Sequence, residues 1–160
     1  MAQILNGIHR SIEAGSYAVD VGVFRHASST YDFSVSGGAQ KAYTVFSVSG
    51  DIVLCIVGLC QTLMDSGGAA TIELGITGNT AALIAQTTAT DLDAYETWQD
   101  AVPEPNPGVI DLFGGSRQFV VANGSDIILT VATADLTVGV IDFHAFWLPL
   151  SAGGSLVSSL

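Results

Sequence analysis

Few side chains in this chain can do chemistry, and their spacing tests each of them. Asp142 and His144 stand two residues apart, so on an extended strand both point to one face. With one of the many serines they would make a Ser-His-Asp constellation, the imidazole as base and the carboxylate as its orienter. No Gly-x-Ser-x-Gly elbow marks any serine, and a structural or interface pair is the stronger reading. Asp91, Asp93, Glu96, Asp100 and Glu104 form the densest acidic run, and paired carboxylates can hold Ca²⁺ or work as acid and base. Asp91 and Asp93 would share a strand face and one cation, but without EF-hand spacing the run reads as a solvated loop and edge. On one strand, Cys55 and Cys60 fall on opposite faces, roughly 16 Å apart at about 3.3 Å per residue, and cannot pair. His9, His26 and His144 are scattered, so zinc lacks a second pair of ligands, and two buried thiols in a reducing compartment are expected. Gly37-Gly38, Gly67-Gly68, Gly114-Gly115 and Gly153-Gly154 carry neither a P-loop Lys-Ser/Thr nor a Gly-x-Gly-x-x-Gly pattern and read as turns. Trp98, Trp147, Tyr95 and Phe146 can stack against sugar rings or pack in a core or subunit interface. The expectation is a non-enzyme with no cofactor and no metal.

The elements that position these groups belong to a chain of 160 residues, 49% hydrophobic and 12% charged, where ordinary domains carry about 25% charged residues. That length suits one core. Eighteen glycines beside plentiful Ser and Thr, with two Met, favour strands and turns over helical bundles. From Lys41 onward the hydrophobic period is two. Lys41 to Val48 and the Ser49-Gly50 turn precede Asp51 to Cys60, apolar on both faces and therefore central and covered on both sides. Thr71 to Thr77 sets Ile72, Leu74 and Ile76 inward against Thr71, Glu73 and Thr77. Ala81 to Thr90 fits a strand or a short helix capped by Asn79 or Thr80, with strand preferred. Tyr95 to Val102 reads as a strand ended by the loop at Pro103, Pro105 and Pro107. Asn123-Gly124-Ser125, between Ser116–Ala122 and Asp126–Thr133, predicts a hairpin, since Asn and Gly both accept positive φ. Leu136 to Leu148 puts Ile141, Phe143, Ala145 and Trp147 on one face and Val140, Asp142, His144 and Phe146 on the other. Asp51-Ile-Val-Leu-Cys-Ile and Asp126-Ile-Ile-Leu-Thr-Val are alike, as two similar halves or by chance.

These patterns predict an all-β fold, an antiparallel β-sandwich of jelly-roll-like character over residues 41–150. An extended N-terminal arm over residues 1–40, containing a short strand from Tyr17 to Phe24, and a C-terminal tail over 151–160 complete the organisation. The arm has too few periodic apolar positions to fold alone but can gain order along a partner. Its Ile4, Leu5, Ile8, Ile12, Tyr17 and Phe24, together with Trp98, are the candidate partner-binding residues.

Fifteen acids stand against Arg10, Arg25, Lys41 and Arg117, a formal charge of −11. Tracking phosphates needs clustered bases, so neither nucleic acid nor anionic membrane is an expected partner. The apolar stretch Ile52–Cys60 is too short for a spanning helix of about 20 residues. The opening Met-Ala-Gln-Ile-Leu-Asn-Gly lacks the pattern of a secretory signal, and no export is expected.

Four segments carry a resemblance: Leu83-Ile-Ala-Gln-Thr-Thr-Ala-Thr-Asp-Leu-Asp-Ala94 with Trp98 downstream, Gly124-Ser-Asp-Ile-Ile128, Thr133-Ala-Asp-Leu-Thr137 with Gly139, and Phe146-Trp-Leu-Pro-Leu-Ser151. In order and spacing they resemble small virion structural proteins of tailed bacteriophages, over residues 83–151. The resemblance implies a head decoration or cement protein, made in the host bacterial cytoplasm and bound to the capsid exterior. The implied partners are the phage major capsid protein and further copies of the chain in a homotrimer. Proteins of that kind often carry a basic residue where Leu148 stands. A carbohydrate-binding sandwich module on a virion surface or tail fibre is the alternative, and a hydrolase requires His144 in a cleft beside a serine or carboxylate.

Overall fold

The period-two segments form two packed antiparallel sheets in a computed structural model that describes residues 24–108 and 117–160. The strands are β1 Arg25–Asp32, β2 Ala42–Ser49, β3 Ile52–Ser66, β4 Thr71–Ile76, β5 Asn79–Thr88, β6 Thr97–Trp98, β7 Phe119–Val121, β8 Ile127–Ala132, β9 Leu136–Pro149 and β10 Ser155–Ser158. A single helical turn, α1 Phe33–Ser36, follows β1, and a 3-10 turn spans Ala89–Asp91. Sheet I has the order β1-β9-β3-β6, with β7 also on β3; sheet II has the order β10-β2-β8-β4-β5. An all-β sandwich is therefore the fold.

Alternation sends one side of every strand into the space between the sheets. Ile52, Leu54, Ile56 and Cys60 of β3 and Ile141, Phe143, Ala145 and Trp147 of β9 meet Phe46, Ile72, Leu74, Ile84, Ile127 and Leu129 from sheet II. A register shift after Thr44 turns both Val45 and Phe46 inward, and both are fully buried. Trp98 lies in this core with its ring 6.3 Å from that of Phe143, and its Nε1 donates to Thr87 Oγ1 at 2.8 Å. That bond satisfies the indole's one donor. Along one side Tyr31 of sheet I meets Tyr43 of sheet II edge-on, ring centres 5.2 Å apart, and their hydroxyls donate to the carbonyls of Gly37 and Ala39. Burial raises both phenols above their ordinary range, Tyr31 most strongly. Gly139, at φ +142°, sits where the β3–β9 register shifts; a Cβ there would lie 2.1 Å from Met64 Sδ, so the long strand needs glycine at this point.

Several expectations are corrected. The arm expected over residues 1–40 is part of the sandwich from Arg25 onward, because β1 pairs with β9 along its whole length, from Arg25↔Trp147 to Asp32↔Val140. Its inward Ser29 and Tyr31 are buried, and Asp32 caps α1 by accepting from Ser34 N at 2.8 Å. The expected strand from Tyr17 lies, apart from Phe24, outside the described residues, as do Ile4, Leu5, Ile8, Ile12 and Tyr17. The expected tail over 151–160 contains β10, which pairs with β2 and buries Leu156.

The expected hairpin at Asn123-Gly124 is instead a passage between sheets. Asn123 and Gly124 do adopt φ +57° and +65°, but β7 pairs with β3 and β8 pairs with β2 and β4. The turn docks on the β2–β3 turn: Gly124 N donates to Gly50 O at 2.9 Å and Asn123 N to Asp51 Oδ1 at 3.0 Å. Asp126 answers by accepting from Val48 N at 3.0 Å. The two similar segments thus open the third strand of each sheet, and the aspartate of each caps the turn leading into the other. The strand expected over Tyr95–Val102 is only Thr97–Trp98, since Tyr95 is in a left-handed turn. Within the proline loop, Glu104 still exchanges both backbone hydrogen bonds with Thr97.

Candidate functional site

The same alternation leaves each sheet an outer face, and that of sheet I concentrates the unusual residues. On β3 it carries Val53, Cys55, Val57 and Leu59; on β9 it carries Val140, Asp142, His144, Phe146 and Leu148. Pairing aligns Val53 with Leu148, Cys55 with Phe146, Val57 with His144 and Leu59 with Asp142. Cys55 and Val57 are 7% and 4% exposed yet stand outside the cluster between the sheets. Val53, Leu59, Phe146 and Leu148 are half-buried around them, and Val120 of β7, opposite Val53, is 67% exposed. Apolar side chains therefore run across three strands on the outer face, where Cys55 and Val57 are buried and their neighbours partly exposed.

Toward the β1 edge the face becomes polar. His26 Nε2 and His144 Nδ1 are 3.2 Å apart, and Phe146 tilts against the His26 ring at 5.0 Å between centres. Thr30 donates to Asp142 Oδ1 at 2.6 Å and Gln61 Nε2 donates to Asp142 Oδ2 at 2.8 Å. Both carboxylate oxygens of Asp142 are thereby engaged across three strands, while His144 Nδ1 faces a second imidazole. Ser28 is paired with His144 across the strands, and His144 Nδ1 meets His26 rather than Asp142. Asp142 and His144 share the expected face, Asp142 bonded to Thr30 and Gln61 and His144 to His26.

The remaining candidates disperse. Asp91 ends the 3-10 turn, Asp93 N donates to Glu96 Oε2, and Asp100 pairs with Arg117 in an exposed ion pair of small energetic weight. Among the described residues, no group of three or more His, Cys, Asp or Glu is placed to hold a metal ion. Cys55 and Cys60 are both buried thiols on opposite faces of β3. Burial pushes the Cys60 thiol up to about 12, with the charges of Glu96 and Asp93 adding to the shift, so it is a poor nucleophile.

The four aromatic residues do not form a platform. Trp98 is fully buried in the core, which removes it from the candidate partner surface, and Trp147 is buried with the Arg25 guanidinium 5.1 Å from its ring centre. Tyr95 is exposed on a loop, and Phe146 stands on the outer face of sheet I. Phe24 is half-buried just before β1. Sequence reasoning missed His26, Thr30 and Gln61 because the first two were assigned to the arm; the alternation of Ala27, Ser29 and Tyr31 with His26, Ser28 and Thr30 was the available signal.

No protein-family model, curated protein or solved structure matches the chain. No helix among the described residues is long and apolar enough to cross a membrane.

Proposed function

We propose that the protein is a non-catalytic virion structural protein of a tailed bacteriophage, a decoration or cement protein that binds the exterior of the assembled head through the outer face of sheet I. The observation that carries this reading is the band of partly exposed Val53, Leu59, Phe146 and Leu148 beside the exposed Val120, since contiguous apolar groups reaching the surface mark contact surfaces. The segmental resemblance over residues 83–151 supplies the class of partner, the major capsid protein. The low fraction of charged residues favours association through apolar burial, including association of three copies. The candidate residues Ile4, Leu5, Ile8, Ile12 and Tyr17 would add apolar contact to the same partner.

The mechanism is linkage. A protein that binds only the assembled shell favours that state by RT ln(1 + [L]/Kd) per site, about 2.7 kcal/mol at a hundredfold excess over Kd, summed over many copies. No turnover and no cofactor is involved. Particles stripped of the protein should disrupt at lower temperature than decorated ones, with re-addition restoring the difference. Equal disruption temperatures would remove the stabilising role. Attachment through apolar burial should also survive added salt, which screens charge pairs but not hydrophobic contact.

A further inference from the structure

We propose that His26 and His144 form a binding site for a transition-metal dication of the Zn²⁺ class, tying the edge strand β1 to β9. The two residues are 118 positions apart in sequence, and only the β1–β9 pairing brings them together. Zn–N bonds of about 2.0–2.1 Å at a tetrahedral angle set two ligand nitrogens about 3.3 Å apart. Here Nε2 of His26 and Nδ1 of His144 are 3.2 Å apart.

The ring orientation fits the same use. Ring centres 5.4 Å apart are what two nitrogens facing each other at 3.2 Å require, so the rings meet by their nitrogen edges, with planes only 19° apart. Without an ion, one of these nitrogens donates a hydrogen to the other; with an ion between them, the donor imidazole takes its other tautomer, its hydrogen moving to the ring nitrogen away from the ion. Each ring then tilts by about 35° to aim its lone pair at a common centre. Eight consecutive residue pairs hold β1 against β9, so the adjustment falls to the side-chain torsions of the two histidines. Phe146 limits the positions open to the His26 ring.

Neighbouring groups favour a cation without competing for it. Asp142 lies two residues from His144 on the same face, and its oxygens are held by Thr30 and Gln61. It therefore adds negative potential rather than a ligand. Two imidazoles leave the remaining coordination positions to water, and imidazole donors select Zn²⁺, Cu²⁺ or Ni²⁺ over Mg²⁺ and Ca²⁺, which prefer oxygen.

The test uses the full chain without an affinity tag, titrated calorimetrically with zinc chloride and melted with zinc or magnesium chloride. One Zn²⁺ per chain should bind, and zinc but not magnesium should raise the melting temperature saturably. Loss of outer-shell partners already weakens metal sites about 10–100-fold, so H26A and H144A should each weaken binding at least tenfold and remove the thermal shift. H9A, altering the chain's third histidine, should keep both. Circular dichroism of each variant checks that the sandwich is retained. Absence of saturable zinc binding, an equal shift with magnesium, or parental affinity in the H26A/H144A double variant would overturn the site.

Discussion

The outer faces of the two sheets are made by the same alternation yet carry different chemistry. On sheet II, Thr44 and Gly75 stand opposite Ile128, Glu73 opposite Thr130 and Thr71 opposite Ala132, and Gln86 donates to Glu73. On sheet I, β3 sends Val53, Cys55, Val57 and Leu59 outward against Phe146 and Leu148 of β9. Both sheets give their inner faces to one core; beyond it, sheet II exposes the single Val157 of β10, whereas sheet I carries a run of partly exposed Val53, Leu59, Phe146 and Leu148 around the buried Cys55 and Val57. Apolar groups that serve attachment should be separable by mutation from those that serve stability.

The largest expected effect defines the stability side. Trp98→Ala empties a fully buried site, removes the hydrogen bond that Thr87 Oγ1 accepts, and should lower the unfolding free energy by about 3–5 kcal/mol, read by urea denaturation. Val53→Thr and Leu148→Thr on the outer face of sheet I should change it by about 1 kcal/mol or less. An outer-face effect as large as that of Trp98 would place those residues in the folding core and dissolve the contrast. Next, Val53→Asp with Leu148→Asp should abolish co-sedimentation with particles. Thr44→Asp with Thr71→Asp, the matched change on sheet II, should leave it intact. Equal losses from both pairs would mean that either face, or neither, is the contact.

The two cysteines sharpen the comparison within one strand. The Cys60 thiol is held at about 12 in the fold against an ordinary 9.0. A group whose pKa is raised on folding stabilises fully below its unfolded value, and that contribution fades as pH rises through the folded value. Urea midpoints should therefore fall between about pH 9 and 12, with Tyr31, also raised, contributing at the alkaline end. Cys60→Ala should flatten the first part of this decline; an unchanged profile would show that Cys60 is not its source. Smallest of all, Asp142→Asn keeps an acceptor for Thr30 and loses the charge at an exposed network, an expected change of about 0.5–1 kcal/mol by urea denaturation.

Much of the sandwich was legible because its signal is local. The alternation of Ile141, Phe143, Ala145 and Trp147 with Val140, Asp142, His144 and Phe146 already separated the two faces of β9. What pairs with what is not local. Asn123-Gly124 announced its positive φ values, but whether the turn closes a hairpin or passes between sheets depends on Gly50 and Asp51, more than 70 residues away. Arg25–Asp32 escaped because Ser28, Ser29 and Thr30 give weak hydrophobic contrast, and the strand becomes evident only against β9. The same gap concealed the site: Asp142 and His144 were visible as a pair, whereas the partners that define their roles, Thr30, Gln61 and His26, come from other strands. Trp98 was misplaced because an aromatic beside acids reads alike at a surface or in a core, and only its bond to Thr87 and its place beside Phe143 decide between them.

Side-chain footprinting with hydroxyl radicals, on the free protein and on the protein attached to intact heads, tests the central claim most directly. The expected result is protection of Val120, Phe146 and Leu148 on attachment, with Val157 of β10, exposed on sheet II, labelled equally in both states. Protection on sheet II with Val120, Phe146 and Leu148 unchanged would contradict the assignment of the outer face of sheet I as the contact surface.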